Sequence, residues 1–233
     1  MRAGSEVMVL NPGAVSVLPE LYGVERVIVF LGRADASLRS VVLELRDAVL
    51  AGDERCAFEV FMPIARAAES TLAWRHLSPQ NASLGMITSA AHVDVHAFAT
   101  SNGSGARGYA LHARGPSSPG SKRPLLVYAG ETRPCYSVLE ASHMAQVLIH
   151  DASYGAGADR AAAAAGRSTS AQAAAVARAG GVRRLVLIPH RDLPDRAVAA
   201  IEAEAARFFR DVHVATGALA YRINEDGVGQ VGE

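Results

Sequence analysis

Three residues able to do acid–base or metal chemistry stand at the ends of apolar runs in the second half of the chain. Glu131, Asp151 and His190 each come directly after a short aliphatic stretch. Such stretches predict buried strands, and ligand sites of open α/β sheets form beyond strand ends. Two carboxylates and an imidazole meeting there would suit a hard or borderline divalent metal. The alternative is that each residue is a helix cap or a salt-bridged loop residue, and the pattern alone does not decide.

The run Leu125–Gly130 is the central predicted strand. Its β-favouring interior ends at Gly130, which permits a tight exit of the backbone, and Glu131 follows at once. Pro134 would start a helix well. We therefore expect this strand end to present Glu131 to a cavity, with an ordinary turn as the alternative.

A second polar cluster lies on the run 92–99, which alternates apolar and polar residues. His92, Asp94 and His96 share one face of this predicted antiparallel strand. Metal ligands converge in this way. Polar residues on the wet face of a hairpin give the same pattern, and that is the interpretation we favour.

Composition narrows the class of protein. The chain has 233 residues, half of them apolar, and balanced charge, with 23 basic and 23 acidic side chains. A soluble globular protein is the default, and net charge gives no reason to expect nucleic acid or membrane. Cys56 and Cys135 form no C-x-x-C pair, so a disulfide framework is not indicated and a reducing compartment is favoured. No signal peptide or membrane span is predicted.

The positions of the elements follow from periodicity. The second half alternates strand and helix, with one Ala-rich helix running to Gly180. A last helix, 194–209, is predicted to point Phe208 inward. In the first half, strands are predicted at 6–10, 26–31 and 57–63, and helices at 37–50 and 64–76.

Four of these segments, in order and well spaced, resemble the second half of the metallo-β-lactamase fold and, within it, the transfer-RNA 3′-processing endonuclease RNase Z. They are Val127–Cys135, Val147–Tyr154, Gly166–Ser170 and Leu185–His190. The resemblance implies a single α/β domain over residues 1–233, a four-layer αββα sandwich of two mixed β-sheets flanked by helices. The sequence departs from the family in two respects. The family's first strands have little counterpart before Glu6, which predicts an N-terminally shortened fold, and a short loop between Arg114 and Pro124 stands in place of the long arm that grips transfer RNA.

The family's functional residues are largely replaced in this sequence. By resemblance, Glu131 stands at the zinc-bridging carboxylate, Asp151 at the acidic position of the next motif and His190 at the last zinc histidine. Arg167 replaces the catalytic histidine of the family's glycine-histidine-serine. In the early ligand cluster only Asp35 remains, and Arg33 replaces a histidine.

This exchange predicts ion pairs in the position of the metal. Buried carboxylates that lose their cation need another positive charge, and a guanidinium supplies it. We predict salt bridges from Arg33 or Arg167 to Asp35, Glu131 or Asp151, no metal or other cofactor, and no catalytic residue. The residual pocket would contain Arg33, Asp35, Glu131, Asp151, Arg167 and His190.

Two functions follow from the resemblance, and a third from the arginines. The first is a catalytically inactive RNase Z-like protein that is a structural or binding component of a larger assembly, with a protein partner or further copies, and with RNA as a possible contact. Its compartment would be the cytoplasm or an organellar matrix. The alternative is a phosphodiesterase with an atypical, histidine-poor metal site. The third is an anion receptor centred on Arg33 and Arg167.

Overall fold

The computed structural model of the protein describes most of the second half of the chain and separate segments of the first. The described residues are 2–3, 6–10, 26–30, 40–45, 47, 57–63, 73–77, 84–90, 93–103, 105–114, 123–190, 193–215, 221–223 and 228–230.

A five-stranded sheet is built by the first half of the chain. Its strands are, in spatial order, β1 (Arg2–Ala3), β2 (Glu6–Leu10), β3 (Arg26–Phe30), β4 (Ala57–Pro63) and β5 (Ala73–Leu77). β2 to β5 are parallel, while β1 is antiparallel to β2, so the sheet is mixed. Residues 40–45 are helical (α1), and Val42 and Leu45 within them are fully buried.

A seven-stranded mixed sheet dominates the second half. Its strands are β6 (Gly85–Ala90), β7 (Val93–Ala99), β8 (Arg107–Ala113), β9 (Pro124–Gly130), β10 (Val147–Asp151), β11 (Arg184–Ile188) and β12 (Val212–Val214). They lie in the spatial order of the chain. Each adjacent pair of strands from β6 to β9 is antiparallel, and each adjacent pair from β9 to β12 is parallel. A separate hairpin joins β13 (Tyr221–Ile223) and β14 (Val228–Gln230).

Four helices connect the parallel strands or flank them. They are α2 (Tyr136–Ala141), α3 (Asp159–Ala164), α4 (Ser170–Gly180) and α5 (Asp195–Ala206).

The two faces of the large sheet belong to two separate cores. On one face, Ile28 of β3 packs with residues of β7, β8 and β9, so this core joins the two sheets. On the other face, Val127 and Leu148 pack with α2, α4 and α5. Helices therefore cover the outside of the large sheet, and the smaller sheet covers its inside. This is the layering that the resemblance implies.

Three of the sequence predictions were wrong in detail. The predicted helix 64–76 ends in a strand, because Ala73–Leu77 pairs in parallel with β4 and this ladder overrides local propensity; residues 64–72 lie outside the described part. The Ala-rich helix is two helices, since Gly166 takes a left-handed φ of +69°. Phe208 is 42% exposed because α5 ends at Ala206, and Phe209 packs against the core instead.

Candidate functional site

The candidate site lies beyond the ends of β9 and β10, next to the loop that connects α3 to α4. β9 ends at Gly130, whose φ is +62°. A Cβ there would lie 3.2 Å from the ring of Tyr128, in a conformation that L-residues rarely adopt. Glycine thus allows the sharp exit predicted for this strand, and Glu131 follows it, partly exposed.

Asp151 is the buried acid of the site. It is the last residue of β10 and is only 2% exposed. The backbone N–H of Ser168 donates to its Oδ2 at 2.9 Å, and the hydroxyl of Ser153 donates to its Oδ1. Both carboxylate oxygens are therefore hydrogen-bonded within the protein, as a buried carboxylate requires.

Arg167 joins the two carboxylates. Its Nη2 lies 2.9 Å from Oε1 of Glu131, and its Nη1 lies 3.5 Å from Oδ1 of Asp151. Nη1 also donates to Oγ of Ser153 at 2.7 Å. One guanidinium thus contacts Glu131 directly and Asp151 both directly and through Ser153. The sequence predicted ion pairs from Arg33 or Arg167 to Asp35, Glu131 or Asp151, and the structure shows those from Arg167 to Glu131 and Asp151.

The electrostatics of Asp151 depend on this arginine. Burial raises the pKa of the Asp151 carboxyl above its ordinary value and is the largest influence on it. The hydrogen bonds from Ser153 and Ser168 and the charge of Arg167 act in the opposite direction, while Glu131 raises the pKa further. Arg167 is therefore the cation that offsets the repulsion between the two acids.

Backbone contacts fix the loops that carry these side chains. Ser168 Oγ donates to the carbonyl of Thr132 at 2.7 Å, and Thr132 Oγ1 accepts from the N–H of Ser101 at 2.9 Å. Gly166 lies so close to Asn102 that a Cβ would sit 2.5 Å from its carbonyl oxygen. The β7–β8 loop, the β9–α2 loop and the α3–α4 loop are consequently tied together around the site.

Of the remaining predicted site residues, the structure describes only His190. Arg33 and Asp35 lie outside the described residues. His190 follows β11 and is exposed, and its carbonyl accepts a hydrogen bond from the N–H of Leu193 at 3.1 Å. The structure thus brings together Glu131, Asp151 and Arg167.

A zinc centre of the kind the resemblance implies does not fit this part of the chain. Hydrolytic zinc needs about three protein ligands and one open position. In the described segments, no group of three His, Cys, Asp or Glu residues is arranged to hold a metal ion. The two carboxylates that would be ligands instead share a guanidinium, whose N–H groups are donors and cannot ligate a metal.

Sequence reasoning missed Ser153 and Ser168, which complete the network around Asp151. A signal for Ser153 was present, because it follows the strand-end acid by two residues, a spacing at which a short hydroxyl side chain can reach back. Ser168 acts through its backbone N–H, which any residue would supply, so its type carries no signal.

Comparison with known proteins bears on the fold and on part of the sequence. Among solved structures, a metallo-beta-lactamase fold protein, YhfI from Bacillus subtilis, matches with a TM-score of 0.67 and 17% identity, over 92% of this chain and 86% of that one. The short form of human tRNase Z matches with a TM-score of 0.53 and 17% identity, over 80% and 83% of the two chains. This chain has the metallo-β-lactamase fold. The predicted αββα class is thereby confirmed.

Curated relatives specify the likeness further. Ribonuclease Z of Methanosarcina acetivorans is 40% identical over 108 residues, which is 45% of this chain and 35% of the relative. Ribonuclease Z of Methanothermobacter thermautotrophicus is 48% identical over 60 residues, 26% of this chain and 20% of the relative. The chain is therefore RNase Z-like, although it spans only about a fifth to a third of the length of these relatives. No protein-family model matches the sequence.

In the described part of this RNase Z-like chain, none of the helices has the length and apolar character needed to cross a membrane.

Proposed function

We propose that this RNase Z-like chain is catalytically inactive and serves as a binding or structural component of a larger assembly. The observation that carries the proposal is the pair of contacts from Arg167 to Glu131 and Asp151.

Arg167 makes the site stable without a metal. Asp151 is 3% exposed at its side chain and Arg167 is 21% exposed, so their contact lies in a poorly solvated region. A buried carboxylate is tolerated when it is paired and hydrogen-bonded, and Asp151 has both kinds of partner. The neighbouring Glu131 is 35% exposed and shares the same cation.

The same arginine removes the chemistry that a hydrolase of this kind needs. Metal-dependent hydrolysis requires a cation that lowers the pKa of bound water to about 7. A guanidinium stays protonated throughout the pH range in which proteins are folded and has no vacant orbital, so it can neither ionise a water nor accept one as a ligand. With both acids held by Arg167, neither is placed to act as a metal ligand.

The fold and the loop network remain, and they support a binding role. The α3–α4 loop, which carries Arg167, is tied to the loop after β9 by the bond from Ser168 to Thr132. Relatives with partial matches are ribonuclease Z enzymes, whose name identifies RNA as their substrate. We therefore assign an RNA-containing assembly as the setting of this chain, with RNA contact or a protein partner within it.

The first experiment tests inactivity. The purified chain is assayed for hydrolysis of a generic phosphodiester and of a precursor transfer RNA, with Zn²⁺, Mn²⁺ or no metal. We expect no turnover above the no-protein background under any condition. Turnover with Mn²⁺ that is lost in Glu131→Gln, with the fold intact by circular dichroism, would show that the acids serve a phosphodiesterase and would overturn the proposal.

The second experiment tests the assembly. The tagged chain is isolated from its native cells at moderate salt and sized on a sucrose gradient with and without ribonuclease. We expect a large particle that ribonuclease converts to a smaller one. Sedimentation as a free single chain in both gradients would contradict a role in an RNA-containing assembly.

A further inference from the structure

A pair of histidines lies on the β7–β8 hairpin, away from the strand-end site. β7 and β8 are antiparallel, and their register places Asp94 opposite His112 and His96 opposite Ala110. Directly opposed residues of an antiparallel pair share a face, so His96 and His112 are diagonal neighbours on the face that carries Asp94. The alternate residues, such as Val95 and Leu111, face the core between the two sheets.

The two imidazoles are in contact. Their ring centroids are 4.7 Å apart and the ring planes are tilted by 57°. Imidazole nitrogens bind Zn²⁺ at about 2.0–2.1 Å, so two nitrogens on one ion lie within about 4.2 Å of each other. The observed ring separation therefore brings the two imidazoles close enough for both to face one ion.

The environment of His96 favours its neutral imidazole. Burial lowers the pKa of His96, the neighbouring His112 lowers it further, and Asp94 acts in the opposite direction. A lowered pKa favours the neutral form of His96, which is the form that binds metals. Imidazole nitrogens are ligands of borderline softness, which suits the later divalent transition metals.

Asp94 supplies a carboxylate next to the pair. Ser89 donates to its Oδ1 at 2.7 Å, and Nε of Arg114 lies 3.3 Å from the same oxygen. This residue lies opposite His112 and brings negative charge to the face. A ready-made set of three ligands is not present among the described residues, so a metal here would hold two imidazoles and complete its coordination with water.

We propose that His96 and His112 form a binding site for one borderline divalent transition-metal ion, Cu²⁺, Ni²⁺ or Zn²⁺, on this face of the β7–β8 hairpin. Imidazole pairs select these ions over Mg²⁺ and Ca²⁺, which prefer oxygen ligands. Affinity for divalent first-row metals generally peaks at Cu²⁺, so we expect Cu²⁺ to bind more tightly than Ni²⁺ or Zn²⁺. This site is separate from the Arg167 network and does not depend on the proposed inactivity of that network.

Calorimetric titration of the chelator-treated full chain with CuCl₂, NiCl₂, ZnCl₂ and MgCl₂ tests the proposal. We expect one equivalent of Cu²⁺ to bind, with weaker Ni²⁺ and Zn²⁺ and no detectable Mg²⁺. His96→Gln and His112→Gln should each weaken Cu²⁺ binding by at least about tenfold, because each leaves a single imidazole. His143→Gln, at an exposed histidine after α2, is the matched control and should bind as the wild type does.

Electron paramagnetic resonance of the Cu²⁺ complex gives an independent readout, since two coupled nitrogens are expected in the wild type and one in either variant. Equal Cu²⁺ affinity in the wild type, His96→Gln and His112→Gln would overturn the proposal. Loss of Cu²⁺ binding in Glu131→Gln alone would also overturn it, because the ion would then be bound at the strand-end site. Neither of these outcomes changes the result of the hydrolysis assays, so the metal site and the proposed inactivity are tested separately.

Discussion

The two halves of the seven-stranded sheet bring polar side chains together in different ways. In the parallel half, β9 to β12, neighbouring strands end at the same edge, so Glu131 and the strand-end Asp151 meet Arg167 beyond the sheet. In the antiparallel half, β6 to β9, successive strands end at opposite edges, and the polar residues meet across a face, as Asp94 and His112 do. Strand direction, more than composition, determines where a polar cluster forms.

Burial separates the two clusters as clearly as geometry does. The side chain of Asp151 is 3% exposed, whereas that of Asp94 is 29% exposed and its partner Arg114 is 53% exposed. Water offsets much of the charge of Asp94 in the antiparallel half, while Asp151 in the parallel half depends on its protein partners. The same residue type should therefore contribute very differently to stability in the two places.

Asp151→Ala should have the largest effect. It removes the acceptor of the Ser168 N–H and one partner of Arg167, leaving buried groups unsatisfied. We expect the free energy of unfolding at pH 7 to fall by about 4 kcal/mol. Asp94→Ala, the matched change in the antiparallel half, should cost about 1 kcal/mol or less. Urea denaturation of both variants measures the difference, and similar losses in the two would contradict the contrast in burial.

Gly166→Ala should disrupt the contact between the α3–α4 loop of the parallel half and the β7–β8 loop of the antiparallel half. A Cβ at this position would meet the Asn102 carbonyl oxygen at 2.5 Å, in addition to the left-handed φ. Gly157 also has a positive φ, +85°, but its Cβ would meet nothing within 4 Å. We expect a loss of about 3 kcal/mol at Gly166 and about 1 kcal/mol at Gly157, since only the backbone conformation is strained there. Thermal unfolding compares the two variants. Equal losses would show that the backbone at Asn102 shifts without energetic cost to make room for the added Cβ.

His150 should make the parallel half sensitive to acid. The residue is fully buried, its Nδ1 hydrogen-bonds the carbonyl of Asp151 at 2.9 Å, and its Nε2 has no hydrogen-bond partner. Burial lowers the pKa of His150 to about 4. Because the unfolded chain takes up this proton near pH 6.5, stability from the neutral imidazole is present above pH 6.5 and is lost as the pH falls towards 4.

Between pH 7 and pH 5 the resulting loss is about 2 kcal/mol. His150→Asn keeps a donor for the Asp151 carbonyl and cannot titrate, so its stability should depend less on pH in this window. The raised pKa of Asp151 acts in the opposite sense in both proteins and cancels in the comparison. Urea unfolding at the two pH values measures the change in the free energy of unfolding for the wild type and for His150→Asn. Equal changes in the two proteins would contradict a buried neutral His150.

Much of the parallel half could be predicted from its sequence. Aliphatic runs that end in Glu131 and Asp151 were enough to place both acids at strand ends. The resemblance then indicated Arg33 or Arg167 as the ion-pair partner, and the structure shows Arg167 in that role. These predictions succeeded because hydrophobic runs and parallel strands constrain one another closely. Ser168 could not be predicted, because it contributes a backbone N–H whose position depends on the loop around it.

The antiparallel half and the smaller sheet were less predictable. Alternation identified the strand that carries Asp94 and His96, but the register that places His112 beside His96 follows from how two strands pair. Residues 73–76 were predicted to be helical but belong to the strand Ala73–Leu77, because its pairing with β4 involves residues distant in the sequence.

By itself, the sequence determined the alternation of strands and helices, the positions of the acids, and the presence of an arginine that could neutralise them. Tertiary structure decided which groups meet. Arg167 reaches both Glu131 and Asp151 because the left-handed turn at Gly166 ends α3 and the loop after it packs against Thr132 and Asn102. Contacts of this kind join residues far apart in the chain, and their geometry is fixed only when the sheet and its loops have assembled.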